Sequence, residues 1–130
     1  MRTLRVGIVG AGGIARNHHV PSYKRCQDVN VVAACDINEA ALEQMRDQHG
    51  IPHLYRDHRE MLAQERLDLV SVCTSNDSHY PVAMAAMDAG LDVFCEKPLA
   101  LNLSQAQEMY EAARANGTRT GVNFSHRRTP

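Results

Sequence analysis

Residues 6–15 read Val6-Gly7-Ile8-Val9-Gly10-Ala11-Gly12-Gly13-Ile14-Ala15, and this stretch decides the fold. An apolar run from Leu4 to Val9 leads directly into Gly10-x-Gly12-x-x-Ala15, so the pattern G-x-G-x-x-A falls between a predicted strand and a predicted helix. Each position has a mechanical reason. Gly10 permits the tight turn, Gly12 lets the backbone come close to a pyrophosphate, and Ala15 lets the helix pack near the sheet. Gly13 and Ile14 open the helix, whose free N–H groups and positive dipole end would face the phosphates. A glycine-rich turn that holds no ligand is the plain alternative. Two features weigh against it. The turn directly follows the first strand of the chain, and Asp36 stands about 20 residues further on, at the end of the next apolar run.

Size and charge narrow the class. A chain of 130 residues suits one domain with a real core. Its 14 Lys and Arg against 15 Asp and Glu leave a net charge of −1, spread along the chain. That balance argues against nucleic acid or an acidic membrane as partner. No apolar run approaches the ~20 residues of a membrane span, and the opening apolar segment is too short for a signal peptide. Cys26, Cys35, Cys73 and Cys95 form no C-x-x-C pair, which predicts a cytoplasmic protein with reduced thiols. Three of them fall near predicted strand ends, where buried cysteines commonly behave as small hydrophobes; no metal site is predicted.

Short β-type runs alternate with helical stretches along the chain. The patterning predicts strands over Leu4–Val9, Val29–Cys35, His53–Tyr55, Leu67–Cys73, Leu91–Cys95 and Arg119–Phe124. It predicts helices over Ile14–Lys24, Asn38–His49, Asp57–Gln64, Ser78–Ala89 and Leu103–Asn116. Asn38 and Asp57 are plausible N-caps, and Gly50, Gly90 and Gly117 plausible stops. Alternating βα units imply an α/β protein: a doubly wound parallel sheet with helices on both faces, the Rossmann fold, in strand order 3-2-1-4-5-6. Ligands of such sheets bind outside the carboxyl ends of the strands, at the switch point between strands 1 and 4. That rule singles out the tips of strands 1, 2, 4 and 5.

Asp36 with Ile37 follows strand 2. Its carboxylate can accept from both hydroxyls of an adenine ribose and would repel a 2′-phosphate, which favours NAD over NADP. No arginine immediately follows to hold such a phosphate. Cys73-Thr74-Ser75-Asn76 with His79 follows strand 4. The segment is rich in capping residues and is read as lining the cofactor cleft; His79 faces either the cleft or the surface. Glu96-Lys97-Pro98 follows strand 5, where a lysine can hold a substrate oxygen or transfer a proton. Glu96 beside it can position the nicotinamide ribose or tune the lysine, and a Lys-Pro bond adopts cis more readily than others. An ordinary charged loop is the plain alternative. Of the remaining histidines, His18 and His19 lie near the phosphate end, one towards the cleft and one towards water.

Together these motifs resemble the N-terminal domain of the Gfo/Idh/MocA oxidoreductase family, through nearly the whole chain. The segment from Val6 to Ala15 resembles the family's opening, and His18 a histidine that often follows it. Ser75-Asn76-Asp77-Ser78-His79 resembles its Pro-Asn-x-x-His segment, with Ser75 in place of the proline. The stretch from Ala89 to Ala100, with Glu96-Lys97-Pro98, is the most specific match, and Asn123-Phe124 with Arg127 and Pro130 resembles the way out of the domain. The resemblance implies NAD as cofactor, a catalytic role for Lys97 at the substrate, and Glu96 near the nicotinamide. It also implies a second, substrate-binding domain that usually carries the homo-oligomer contacts. Residues 1–130 are accordingly read as the dinucleotide-binding domain, with that second domain absent from this chain.

The expected parent reaction is hydride transfer between the nicotinamide and an alcohol carbon of a sugar, cyclitol or related polyol. Two alternatives stand beside it: a stand-alone NAD-binding or redox-sensing module, and a glycosidase that uses NAD without net redox.

Overall fold

The computed structural model describes residues 2–124. Six strands form one parallel sheet: β1 (Leu4–Val9), β2 (Val29–Cys35), β3 (His53–Tyr55), β4 (Leu69–Val72), β5 (Asp92–Glu96) and β6 (Thr120–Asn123). Their order is β3-β2-β1-β4-β5-β6, so the direction of winding reverses between β1 and β4, as the sequence predicts. The helices are α1 (Val20–Lys24), α2 (Glu39–His49), α3 (His58–Gln64), α4 (His79–Asp88) and α5 (Leu103–Asn116).

Two cores explain why the sheet is buried on both sides. Val6, Ile8 and Val31 pack with Val20 of α1 and Leu42 and Met45 of α2. Val70, Val72, Val93 and Cys95 pack on the other face with Met61 of α3, Met87 of α4 and Met109 of α5. Strands covered on both faces read as near-continuous apolar runs, which is why β1 and β4 were legible. The helix starts are fixed by short polar side chains: Asn38, Asp57 and Asn102 accept from the backbone N–H groups of Ala41, Arg59 and Gln105 at 3.3, 2.8 and 2.9 Å.

The first helix departs from expectation. Between the glycine turn and α1, residues Ala15–His19 form a π-type turn, in which the Val20 N–H reaches the Ala15 carbonyl. Pro21 supplies the physical reason, because it has no N–H and its ring crowds the carbonyl one turn back. The widened turn leaves His19 on the buried side, 4% exposed, and His18 in water. The predicted strand over Leu67–Cys73 also proves shorter, Leu69–Val72.

Candidate functional site

The tips of β1, β2 and β4 frame one groove of about 430 Å³. At its base the chain turns at Gly10, whose φ of 96° suits a residue without a side chain. A Cβ there would lie 2.4 Å from the Cys73 carbonyl oxygen, so the β1 and β4 tips can close only over glycine. Gly12 has nothing within 4 Å of its Cβ position and Gly13 only the Asn17 side chain at 3.8 Å. The backbone here is bare and open, the form a phosphate cradle needs. Ile14 is 41% exposed above the turn, whereas Ala15 is fully buried and seats the helical segment on the sheet.

Asp36 is locked to this turn. One carboxylate oxygen accepts the Ala11 N–H at 2.7 Å and the other accepts the Asn38 N–H at 2.8 Å. Each oxygen keeps a second lone-pair direction, so the ribose-binding role remains open to it. Ile37 stands 81% exposed beside it, an apolar lip on the groove. Arg56 and His58 also line this wall, and sequence reasoning assigned neither a role. The Arg56 guanidinium donates to the Ile37 carbonyl at 3.0 Å, so an arginine does stand near Asp36, delivered by the β3–α3 connection rather than by the residues that follow it. Its distance in sequence hid it.

The β4 tip contributes Cys73, Thr74, Ser75 and Ser78 to the groove. Ser75 donates to Asp77 at 2.7 Å, and this bond is the main reason the Asp77 carboxyl sits below its ordinary range. Asn76 is exposed at the start of a short 3-10 turn, outside the groove lining. His79 takes neither expected position. It is 1% exposed, neither in the groove wall nor at the surface, with Nδ1 2.6 Å from the Pro98 carbonyl oxygen and Nε2 3.0 Å from that of Thr74. The ring therefore clamps the β4 tip to the turn after β5.

That turn holds Glu96, Lys97 and Pro98, with a cis bond before the proline. Glu96, the last residue of β5, is drawn inward, with a 13% exposed side chain, and Lys97, just past the strand, is exposed. Glu96 does not pair with Lys97. Its Oε1 accepts from His19 at 2.5 Å and from Asn123 at 2.7 Å. Burial pushes the Glu96 carboxyl up, but the hydrogen bonds from Asn123 and His19 outweigh it, and the group settles below its usual 4.5.

Behind Glu96 lies a buried polar chain that sequence reasoning missed: His19 to Ser71 at 2.8 Å, and Ser71 to Tyr23 at 3.0 Å. A signal for it existed, since Ser71 is a lone hydroxyl inside an apolar strand and needs a partner. Tyr23 lies four residues after His19, within reach on the same side of the helical segment. A second groove of about 320 Å³ opens there, between Ile14, His18, Tyr23, Phe94 and Asn123. The thiols of Cys35 and Cys95 are pushed up to about 12 by burial, and that of Cys73 is raised by the same cause. Among the described residues no group of three or more His, Cys, Asp or Glu is placed to hold a metal ion.

The glycine turn, its paired acid and the switch-point topology together find their match in known proteins. Residues 4–124 fit the sequence pattern of an oxidoreductase family with an NAD-binding Rossmann fold. The chain belongs to the Gfo/Idh/MocA family. Its Rossmann domain is of the NAD-binding kind that family carries, and its homologues are sugar and cyclitol dehydrogenases. It is 37% identical over 124 residues to D-glucoside 3-dehydrogenase of Escherichia coli, covering 95% of this chain and 35% of that protein. To inositol 2-dehydrogenase of Salmonella typhimurium it is 36% identical over 118 residues, covering 90% and 35%. Among solved structures, WlbA dehydrogenase of Bordetella pertussis, in complex with NADH and UDP-GlcNAcA, superposes with a TM-score of 0.92 at 29% identity, covering 98% of this chain and 39% of that one. The chain thus spans about a third of the length of the curated relatives it matches. Arg127 and Pro130, which carry part of the resemblance, lie outside the described residues.

Proposed function

We propose that residues 1–130 form the dinucleotide-binding domain of an NAD-dependent dehydrogenase acting on an alcohol carbon of a sugar, cyclitol or related polyol. The observation that carries this is Asp36, fixed by two backbone N–H groups at the rim of the bare Gly10–Gly13 turn. Asp36 would take the adenine ribose hydroxyls and disfavour a 2′-phosphate, with the exposed Ile37 against the adenine. Gly10, Gly12, Gly13 and the start of the helix at Ile14 and Ala15 would cradle the pyrophosphate. Cys73, Thr74, Ser75 and Asn76 would follow the cofactor across the β4 tip, with His79 holding that tip from behind.

Bound NAD supplies a hydride acceptor at the nicotinamide. The chain's own task is to orient the substrate and handle the proton that leaves the hydroxyl as its carbon gives up hydride. Lys97 suits that task, because among the described residues no hydrogen bond or ion pair engages its side chain at the β5 tip. Glu96, held on the inner side, would meet the nicotinamide half. The parent protein is read as a cytoplasmic homo-oligomer with no nucleic-acid or membrane partner; no helix among the described residues is long and apolar enough to cross a membrane. The test is a calorimetric titration of the protein with NAD and NADP. Saturable binding of NAD, tighter than NADP, is expected; a flat titration with NAD overturns the reading.

A further inference from the structure

The polar chain behind the β5 tip lies outside the groove that receives Asp36, and the sequence reading assigned it no task. Five segments of the chain converge on it, with Tyr23 supplied by α1. His19 comes from the π-type turn, Ser71 from β4, Glu96 from β5 and Asn123 from β6. The directions of the bonds follow from what each group can do. An ionised carboxylate only accepts, so His19 Nε2 must carry the proton it gives to Glu96 Oε1. In the neutral ring Nδ1 then accepts from the Ser71 hydroxyl, and Ser71 Oγ accepts from the Tyr23 O–H. Each donor finds one acceptor, and the chain runs one way, from Tyr23 to Glu96. Phe94 lies against the His19 ring with centroids 5.7 Å apart and limits its rotation.

Ser71, His19 and Glu96 have the composition of a nucleophile array, but Ser71 is fully buried inside β4 and no substrate can reach it. The array is built to hold a carboxylate. We propose that His19 is a positioning residue for Glu96, fixing that carboxylate at the β5 tip so that it meets the nicotinamide half of NAD in one pose. The inference rests on the NAD reading above. It assigns His19 no contact with the cofactor and no part in binding the adenine end.

Two measurements test it. In the unmodified protein, ring-nitrogen NMR of 15N-labelled histidine is expected to show His19 Nε2 protonated; a bare Nε2 overturns the inference without any variant. Calorimetry then compares NAD with AMP, which has no nicotinamide half. His19→Phe is expected to weaken NAD about ten-fold or more and leave AMP unchanged, and His19→Gln, which can still donate to Glu96, is expected to recover most of the loss. Unchanged NAD affinity in His19→Phe overturns the inference, and so does an equal loss for NAD and AMP, which marks a general structural role. If His19→Phe does not fold, His19→Gln with AMP-like but not NAD-like losses contradicts it, and near-native binding of both supports it together with the ring pattern. Failure of the unmodified protein to bind NAD strikes the cofactor reading instead, and the ring-nitrogen pattern still decides whether His19 holds Glu96.

Discussion

Replacing Asp36 by alanine separates two jobs that this carboxylate does at once. The first is structural. Ala11 is fully buried and its N–H has the Asp36 carboxylate as partner at 2.7 Å, so the variant leaves a buried donor unsatisfied. Such a loss costs about 1–3 kcal/mol. Asn38 is exposed, and water can replace the bond to its N–H at little cost. The second job is recognition. Hydrogen bonds from ribose hydroxyls to a carboxylate contribute about 1.5–3 kcal/mol, so NAD affinity should fall about 10- to 150-fold. For NADP the balance differs. A carboxylate about 5 Å from a phosphate charge repels it by about 1 kcal/mol in water and about 3 kcal/mol at an effective dielectric of 20. Removing Asp36 relieves that repulsion and leaves Arg56, on the same wall, as the nearby cation. The gap between the two cofactors should close from both sides. Calorimetry with NAD and NADP, run well below the variant's melting temperature, measures it, and a thermal melt reads the structural cost separately. An undiminished preference for NAD in Asp36→Ala would refute the argument.

The neighbouring glycines offer a contrast. Gly10→Ala should destabilise by about 2–6 kcal/mol, from positive φ and a Cβ driven into the Cys73 carbonyl, while Gly12→Ala should leave the melting temperature nearly unchanged and still weaken NAD. Thiol labelling under native conditions should modify Cys26, the exposed cysteine, and spare the buried Cys35, Cys73 and Cys95 until denaturant is added. Because the Glu96 carboxyl is held below its ordinary 4.5, it contributes stability above that pH and loses it as acid protonates the folded form. Denaturation curves across that range should therefore show a shallower acid loss for Glu96→Gln than for the native protein. In a full-length parent protein that carries the substrate-binding domain, Lys97→Ala should lower polyol-dependent NADH formation about 10²–10⁴-fold with little change in NAD affinity; turnover there at the native rate would reduce the loop to a structural turn.

What the sequence disclosed and what it hid follow from range. The strands, the caps and the Gly10 turn rest on patterning and on residues within one turn of each other, and all six strands form in the predicted order with ends within two residues of those predicted. Asp36 was legible because the spacing from glycine to acid is set by one βα unit. Arg56 was not, because β3 returns it to Asp36 from about twenty residues away and no local pattern marks the meeting. Which of His18 and His19 turns inward was hidden by Pro21, which widens the helical turn before it and leaves His19 buried. His79 illustrates a different limit. Its place in the first turn of α4 was clear, but two carbonyl oxygens from the β4 and β5 tips capture its ring, and only tertiary structure brings them together.

The same reasoning explains how two adjacent charged residues come to have separate tasks. Glu96 is the last residue of β5 and turns inward, while Lys97 lies just past the strand and is exposed. The inward residue meets a donor from each of two elements, His19 from the helical segment and Asn123 from β6, and the Phe94 ring lies against His19. Its carboxylate is therefore committed before any ligand arrives. The outward residue is not committed to any of them. His79 meanwhile fixes the backbone immediately after Lys97 by holding the Pro98 carbonyl against the β4 tip. On the proposed reading, an exposed amine on a fixed backbone, beside a fixed carboxylate, would take a proton without disturbing the surface that orients the cofactor. Were Glu96 and Lys97 paired to each other instead, each proton movement at the amine would also shift the carboxylate.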